Sequence, residues 1–91
     1  MKSFEWDSKK NLQLQKERNI SFEDIVFCMG NDGLLDEIDH PNSKKYPNQR
    51  IFIVEVDNYA YLVPFIEIDR KAFLKTIIPS RKATKLYLEN L

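Results

Sequence analysis

The feature that most constrains the fold is a pair of apolar segments that meet at a two-residue turn. Residues 49–57 and 60–68 are rich in β-branched and aromatic side chains. Asp57-Asn58 lies between them, and both residue types tolerate the left-handed conformations of a tight hairpin turn. Proline lacks the N–H that a strand ladder needs, so we expect Pro64 to lie at an edge or a bulge. The sequence therefore predicts an antiparallel hairpin.

Two helices are predicted before this hairpin. Asp7 is a suitable N-cap for a helix over Ser8–Arg18, and Asn19 can end that helix in the left-handed conformation. Ser21 begins the second helix and, with Asp24, resembles a capping box. The second helix has apolar residues at helical spacing, which indicates a face buried in the core: Phe22, Ile25, Val26 and Met29.

The remaining elements complete an α+β pattern. Alternation predicts short strands over 2–6, Leu34–Asp39 and 73–78, and Ser80 is placed to cap a final helix that reaches about Asn90. Helices and strands are segregated along the chain, as in α+β domains. We therefore expect residues 1–91 to form a single domain, in which two N-terminal helices pack on a small antiparallel β-sheet and a C-terminal helix follows.

Composition narrows the class of protein. With 43% hydrophobic and 31% charged residues the chain is typical of a folded domain, and its formal net charge of zero predicts no overall field toward nucleic acid or membranes. No apolar run approaches the ~20 residues of a membrane span, and the first residues are too polar for a signal peptide. One cysteine excludes an intramolecular disulfide. We expect a cytoplasmic protein with no membrane contact, metal ion or cofactor.

Few residues suggest catalytic chemistry by themselves. Two glycines are too few for a phosphate-binding loop, and the acids between Asp32 and Asp39 lack the spacing of a calcium loop. Cys28 is interpreted as a buried apolar residue on a helix. His40 is the single histidine and follows a predicted strand, where a loop can place it as an acid or a base. A surface histidine without a task is the alternative.

The C-terminal third is locally cationic. No acidic residue interrupts the run from Arg70 to Lys85, and Phe73 and Tyr87 lie close to it in the sequence. Cations that neutralise phosphates, together with rings on which bases stack, are typical of a surface that binds single-stranded RNA. A solvated helix face is the alternative. The cationic residues of this third are Arg70, Lys71, Lys75, Arg81, Lys82 and Lys85.

Three segments in the same order resemble the BrnT family of bacterial type II toxins. The segments are Phe4-Glu5-Trp6-Asp7 with Lys10, then Ile20-Ser21-Phe22-Glu23-Asp24, then Ile77-Ile78-Pro79-Ser80-Arg81-Lys82-Ala83-Thr84-Lys85. Asp39-His40 and Arg50-Ile51-Phe52-Ile53 are similar to the middle of the family. The resemblance extends over residues 4–87, nearly the whole chain.

This resemblance implies a RelE-like fold and an endoribonuclease that blocks translation. Because the sequence offers no set of metal ligands beside the basic C-terminal third, we expect the cleavage to need no metal ion. It also implies a cognate antitoxin of the BrnA type as partner, with DNA bound only through the antitoxin complex. RNA would be the substrate. The residues that the resemblance and the local charge assign to the site are Arg50, Arg81, Lys82 and His40 for catalysis, with Arg18, Lys75 and Lys85 for RNA binding.

Departures from the family favour a second hypothesis. Glu17-Arg18-Asn19 stands where the family usually has Lys-His-Gly, Thr76 stands where an arginine is often found, and Pro79 replaces a serine. The alternative is therefore a catalytically impaired or inactive BrnT-like module that binds a cognate antitoxin. An exposed apolar patch is expected for such a partner, unless the C-terminal helix covers the second face of the sheet. The candidates for the patch are Phe52, Tyr61 and Phe65.

Overall fold

A computed structural model describes residues 3–89. Within these residues lie six strands and three α-helices. The second helix, α2 (Phe22–Cys28), ends in a wide turn over Met29–Gly33. The third, α3 (Arg81–Thr84), continues as a wider helical turn over Lys85–Glu89, and we call residues 81–89 the C-terminal helix. No helix in this part of the chain is both long and apolar enough to cross a membrane. The elements are β1 (Ser3–Trp6), α1 (Ser8–Arg18), α2 (Phe22–Cys28), β2 (Leu34–Asp39), β3 (Gln49–Val56), β4 (Tyr59–Ile68), β5 (Lys71–Leu74), β6 (Ile78–Pro79) and α3 (Arg81–Thr84).

The sheet is mixed, and the expectation of an antiparallel sheet is corrected. The strand order is β1-β5-β4-β3-β2, and the short β6 pairs with β4 beyond the end of β5. All neighbours are antiparallel except β1 and β5, which run parallel. Parallel neighbours cannot be joined by a tight turn. β1 and β5 can pair in parallel because α1, α2 and three strands lie between them in the sequence, which gives a connection long enough to cross over.

The helix starts agree with the sequence prediction. The Asp7 carboxylate accepts the N–H of Lys9 at 2.9 Å, and Asn19 ends α1 with a left-handed φ of 56°. At the start of α2 the Ser21 hydroxyl accepts the N–H of Asp24 at 3.1 Å, and the Asp24 carboxylate accepts the N–H of Ser21 at 2.9 Å. This reciprocal pair is the predicted capping box, which satisfies two main-chain donors that have no partner within the helix.

The hairpin also forms where the sequence predicts it. Asp57 and Asn58 both have positive φ, 53° and 65°, as a two-residue turn between twisted strands requires. Pro64 lies within β4, between the stretch that pairs with β5 and the stretch that pairs with β6. Its missing N–H therefore falls at a gap in the ladder, and its carbonyl accepts the N–H of Lys75 at 2.8 Å.

The strand predicted over 73–78 is split into two short strands. β5 ends at Leu74, and the chain pairs again only at Ile78–Pro79. Between them Ile77 is fully buried in the core. The irregular backbone from 75 to 77 lets that side chain turn inward, which a continuous period-two strand would not allow.

One face of the sheet carries the larger core. Leu14 of α1 and Phe22 and Ile25 of α2 are fully or almost fully buried, in a cluster with side chains of β3, β4 and β5. Val26 and Met29 pack only partly against this cluster. The strand residues of the cluster are Phe52, Val54, Val63, Phe65, Ala72 and Leu74.

The C-terminal helix covers part of the opposite face. Ala83 packs with Ile53 and Ala60 in a second buried cluster, and Tyr87 and Leu88 are half-buried against it. The prediction that Phe52 and Phe65 belong to an exposed patch is therefore wrong, because their side chains are 2% and 0% exposed. Their rings stack at 3.8 Å beneath the N-terminal helices, because alternation places them on the face opposite the C-terminal helix. Tyr61 is half-buried against the same core.

Candidate functional site

His40 lies at the end of β2, in the loop that leads to β3. Its Nδ1 accepts the N–H of Asn42 at 3.0 Å, and its ring lies 4.6 Å from the ring of Tyr46, centroid to centroid. A nitrogen that accepts a hydrogen bond carries no proton, so neutral His40 holds its proton on Nε2. The loop thus fixes the orientation of the ring and leaves the Nε2–H group to donate a hydrogen bond to a ligand. His40 can accept a proton only after Nδ1 releases the Asn42 N–H.

Two residues of this loop were missed from the sequence. Tyr46 packs against His40, and Nζ of Lys45 lies 5.4 Å from the centroid of the Tyr46 ring. A cation over an aromatic face is attracted by the electrons of the ring. The signal in the sequence was Lys44-Lys45-Tyr46, a basic-aromatic run inside the loop that follows His40.

Arg50 lies beside this loop, on β3. It pairs across the strands with Asp39, and the main-chain N–H of His40 donates to the carbonyl of Gln49 at 3.3 Å. The guanidinium is already engaged, since Nε donates to Oδ1 of Asp39 at 3.2 Å and an Nη donates to the Glu37 carboxylate. An RNA phosphate at Arg50 would have to compete with these two carboxylates.

The C-terminal helix carries the other predicted catalytic cations. The Ser80 hydroxyl accepts the N–H of Ala83 at 3.0 Å, which confirms Ser80 as the N-cap. Because Ala83 and Thr84 face the sheet, helical spacing directs Lys82 and Lys85 away from it, and both are exposed. Arg81 is exposed as well. This helix therefore presents its cations to solvent while its apolar side packs on β3 and β4.

Arg18 and Lys75 make contacts within the fold. The Arg18 guanidinium donates to the carbonyl of Ile77, which ties the end of α1 to the segment before the C-terminal helix. Nζ of Lys75 lies 5.5 Å from the centroid of the Phe73 ring, which is partly exposed. An RNA phosphate that bound to Arg18 or Lys75 would therefore compete with a contact that the side chain already makes within the fold.

The structure brings His40 and Arg50 to the same end of the sheet and places Arg81 and Lys82 elsewhere. Arg50 lies on the face of β3 that carries Phe52, whereas the C-terminal helix packs on the face that carries Ile53. The four residues expected to act in catalysis therefore do not line one cleft.

Two titratable groups are perturbed by a contact between the C-terminal helix and β2. Tyr87 Oη donates to Oδ2 of Asp36 at 2.7 Å. This hydrogen bond, helped by the Glu37 N–H, lowers the pKa of Asp36 below its ordinary value. The same hydrogen bond raises the pKa of Tyr87, because the phenol must stay protonated to donate. The contact holds the helix to the edge strand.

Cys28 has the character of a packed thiol. Burial, and then the nearby carboxylates of Asp24, Asp57 and Glu55, raise the pKa of the thiol. A raised pKa keeps the sulfur protonated near neutrality and makes it a poor nucleophile. The predicted position on a helix is confirmed, but the side chain is only half-buried against the larger core and not fully buried as predicted.

Comparisons with known proteins give no relative for this chain. Neither family models, nor curated proteins, nor solved structures yielded a match. Within residues 3–89 there is also no cluster of three or more histidine, cysteine or acidic side chains that could hold a metal ion.

Proposed function

We propose that this chain is a BrnT-like toxin domain that cleaves RNA without a metal ion and is neutralised by a cognate BrnA-like antitoxin. The proposal includes the RelE-like arrangement of two N-terminal helices against the sheet. The observation that carries it is that His40 directly follows Asp39, the cross-strand partner of Arg50, and packs on Tyr46, over which Lys45 lies. A group that exchanges protons next to groups that stabilise negative charge is what phosphodiester cleavage needs.

The chemistry uses the RNA's own 2′-hydroxyl. Its oxygen attacks the adjacent phosphorus and loses its proton to a base, the bond to the 5′ oxygen breaks, and that oxygen takes up a proton. The products are a 2′,3′-cyclic phosphate and a 5′-hydroxyl. The Nε2–H of His40 can donate a hydrogen bond to a phosphate oxygen, and His40 takes up the 2′-hydroxyl proton once Nδ1 releases the Asn42 N–H. Lys45 and Arg50 stabilise charge on the phosphate, Arg50 in competition with Asp39 and Glu37.

In this proposal the C-terminal helix binds the RNA backbone at a distance from the bond that breaks. Arg81, Lys82 and Lys85 are exposed, and among residues 3–89 no carboxylate lies within ion-pair distance of them. Such cations supply affinity that depends on salt and not on sequence. Lys75 and Arg18 contribute less to RNA affinity than these three cations, since each already has a contact in the fold.

Incubation of the purified chain with single-stranded RNA in EDTA tests the activity. We expect cleavage that leaves a cyclic phosphate, and we expect His40→Ala to slow it by roughly 10²-fold or more, the usual contribution of a positioned acid or base. Lys9→Ala removes an exposed cation from α1 and serves as the control that should keep the rate. Cleavage that stops in EDTA and returns with Mg²⁺, or a His40→Ala variant at full rate, would refute the proposal.

The second candidate is a module that binds the antitoxin without cleaving RNA. The observation in its favour is the double ion pair that occupies the Arg50 guanidinium with Asp39 and Glu37. Inducible expression with and without the adjacent small gene separates the two functions. The nuclease arrests growth when expressed alone and is silenced by its partner. The binding module leaves growth unchanged in both cultures, although it co-purifies with the product of the adjacent gene.

A further inference from the structure

β2 presents an edge to which a further strand can add. It pairs with β3 on one side, and among residues 3–89 no strand pairs with its other side. The His40 N–H donates to the Gln49 carbonyl, so alternation directs the main-chain groups of Asp39 and Glu37 away from β3. The Glu37 N–H is held by Oδ1 of Asp36 at 2.8 Å. A short edge strand with charged side chains is protected against unwanted pairing, so a strand that adds here must bring complementary charge.

An apolar cleft opens beside this edge, on the face of the sheet that carries α2. Its volume is about 600 Å³. The sheet curls enough for strands from both of its ends to line the cleft, and the Phe4 ring of β1 lies 6.0 Å from that of Phe52. Leu34, at the start of β2, is 42% exposed at the rim. The side chains that line it are Phe4, Val26, Met29, Leu34, Glu37 and Phe52.

The acidic side chains of β2 determine which kind of partner can bind at its edge. β2 carries Asp36, Glu37 and Asp39, and the ion pairs to Arg50 leave Asp39 with an 82% exposed side chain. A second copy of the chain that paired through β2 would set these acids against one another, and like charges directly opposite destabilise a strand pair. A segment that carries lysine or arginine would instead complete the charge pattern. The edge therefore favours a basic partner over self-association.

We propose that the edge of β2 and the adjoining cleft bind an extended segment of a protein partner in which basic and apolar residues alternate. The segment adds as a strand through the outward main chain of Asp39, and its carbonyl replaces the Asp36 carboxylate at the Glu37 N–H. Its apolar side chains enter the cleft next to Leu34 and Phe52, while its cations approach Asp39. This goes beyond the proposed function, because the partner is a peptide segment and its binding requires no RNA cleavage. The surface meets the C-terminal helix at Asp36, which accepts from Tyr87.

The probe is a short synthetic peptide in which lysine alternates with isoleucine, added to the ¹⁵N-labelled full chain. We expect amide shifts concentrated in Leu34–Asp39 and slower hydrogen exchange at the Asp39 N–H, because that group gains a carbonyl acceptor. A peptide with glutamate in place of lysine should not bind. A peptide with proline substituted at its centre should bind at least tenfold more weakly, since it lacks a ladder donor.

Matched charge reversals test the site. Asp39→Lys should weaken binding of the lysine peptide about tenfold, whereas Glu17→Lys, the same change on the exposed surface of α1, should leave it nearly unchanged. Thermal unfolding of each variant checks that the fold is kept. The proposal is overturned if the peptide does not bind, if shifts spread over all acidic surfaces, or if both reversals weaken it equally. Self-association of the chain through β2, seen by sedimentation, also contradicts it.

Discussion

The hydroxyl of Tyr87 joins the C-terminal helix to the edge strand β2. Tyr87 Oη donates to Asp36, whose other oxygen accepts the Glu37 N–H, so one carboxylate links the helix and the main chain of β2. The carboxylate must be ionised to accept both hydrogen bonds at full strength. The pKa of Asp36 is accordingly lowered in the folded chain, which makes this contact sensitive to pH.

Replacing Tyr87 by phenylalanine tests this link. The lowered pKa of Asp36 stabilises the fold above the carboxyl's unfolded value of about 3.9, and this stabilisation is lost as pH falls through the lower folded value. Tyr87→Phe should therefore unfold at a lower temperature than the parent chain near neutral pH, and the difference should shrink in acid. Thermal melts across pH, with Tyr59→Phe as the control, measure it. A difference that grows in acid would contradict the assignment.

At the scale of elements, the helix starts follow from residues close in sequence. Ser21 and Asp24 close their capping box without help from the rest of the fold, and the hydroxyl of Ser80 caps the C-terminal helix in the same way. Contacts with distant elements then fix where each helix lies. Asn11 of α1 accepts the N–H of Phe22 at 2.8 Å and so joins the first two helices.

Ser21→Ala removes one half of the capping box. The Asp24 N–H loses its acceptor inside a partly buried helix start, so the free energy of unfolding should fall by about 1 kcal/mol. Urea denaturation followed by circular dichroism measures the change. Ser43→Ala in the exposed loop before β3 is the matched control and should stay within about 0.5 kcal/mol of the parent. An equal effect of the two substitutions would mean that the cap contributes nothing.

At the scale of the whole molecule, helices lie on both faces of one curled sheet. The larger core joins α1 and α2 to β3, β4 and β5, and the smaller one joins the C-terminal helix to β3 and β4. Phe22 is 0% exposed and its ring stacks 5.6 Å from that of Trp6, so it connects α2 to β1. Loss of such a side chain affects several elements at once.

Two phenylalanines on α2 provide a matched pair for testing the core. Phe22→Ala should lower the free energy of unfolding by about 3–5 kcal/mol, because it leaves a cavity beside Trp6. Phe27 is 69% exposed on the same helix, and its replacement by alanine should cost less than about 1 kcal/mol. Urea midpoints compare the two variants. If Phe27→Ala were the more damaging, the orientation of α2 would be wrong.

The sequence by itself determined the features that depend on near neighbours. The caps at Asp7, Ser21 and Ser80 and the turn at Asp57-Asn58 were predictable, because each is decided by hydrogen bonds or backbone preferences within a few residues. Tertiary structure decided which distant segments meet. The parallel pairing of β1 with β5, and the split of the strand after Leu74, depend on how the helices and the buried Ile77 pack.

The candidate site divides in the same way. His40 and Arg50 could be named from the sequence, but the role of Tyr46 as the surface against which His40 packs could not, because that contact depends on how a polar loop folds back. Alternation along β3 sets Arg50 opposite the face that the C-terminal helix covers. Only the tertiary structure could show that Arg50 and the cations of the C-terminal helix lie on opposite faces of the sheet. The alternation of side chains along a strand determines which residues share a face, but not which helix covers that face.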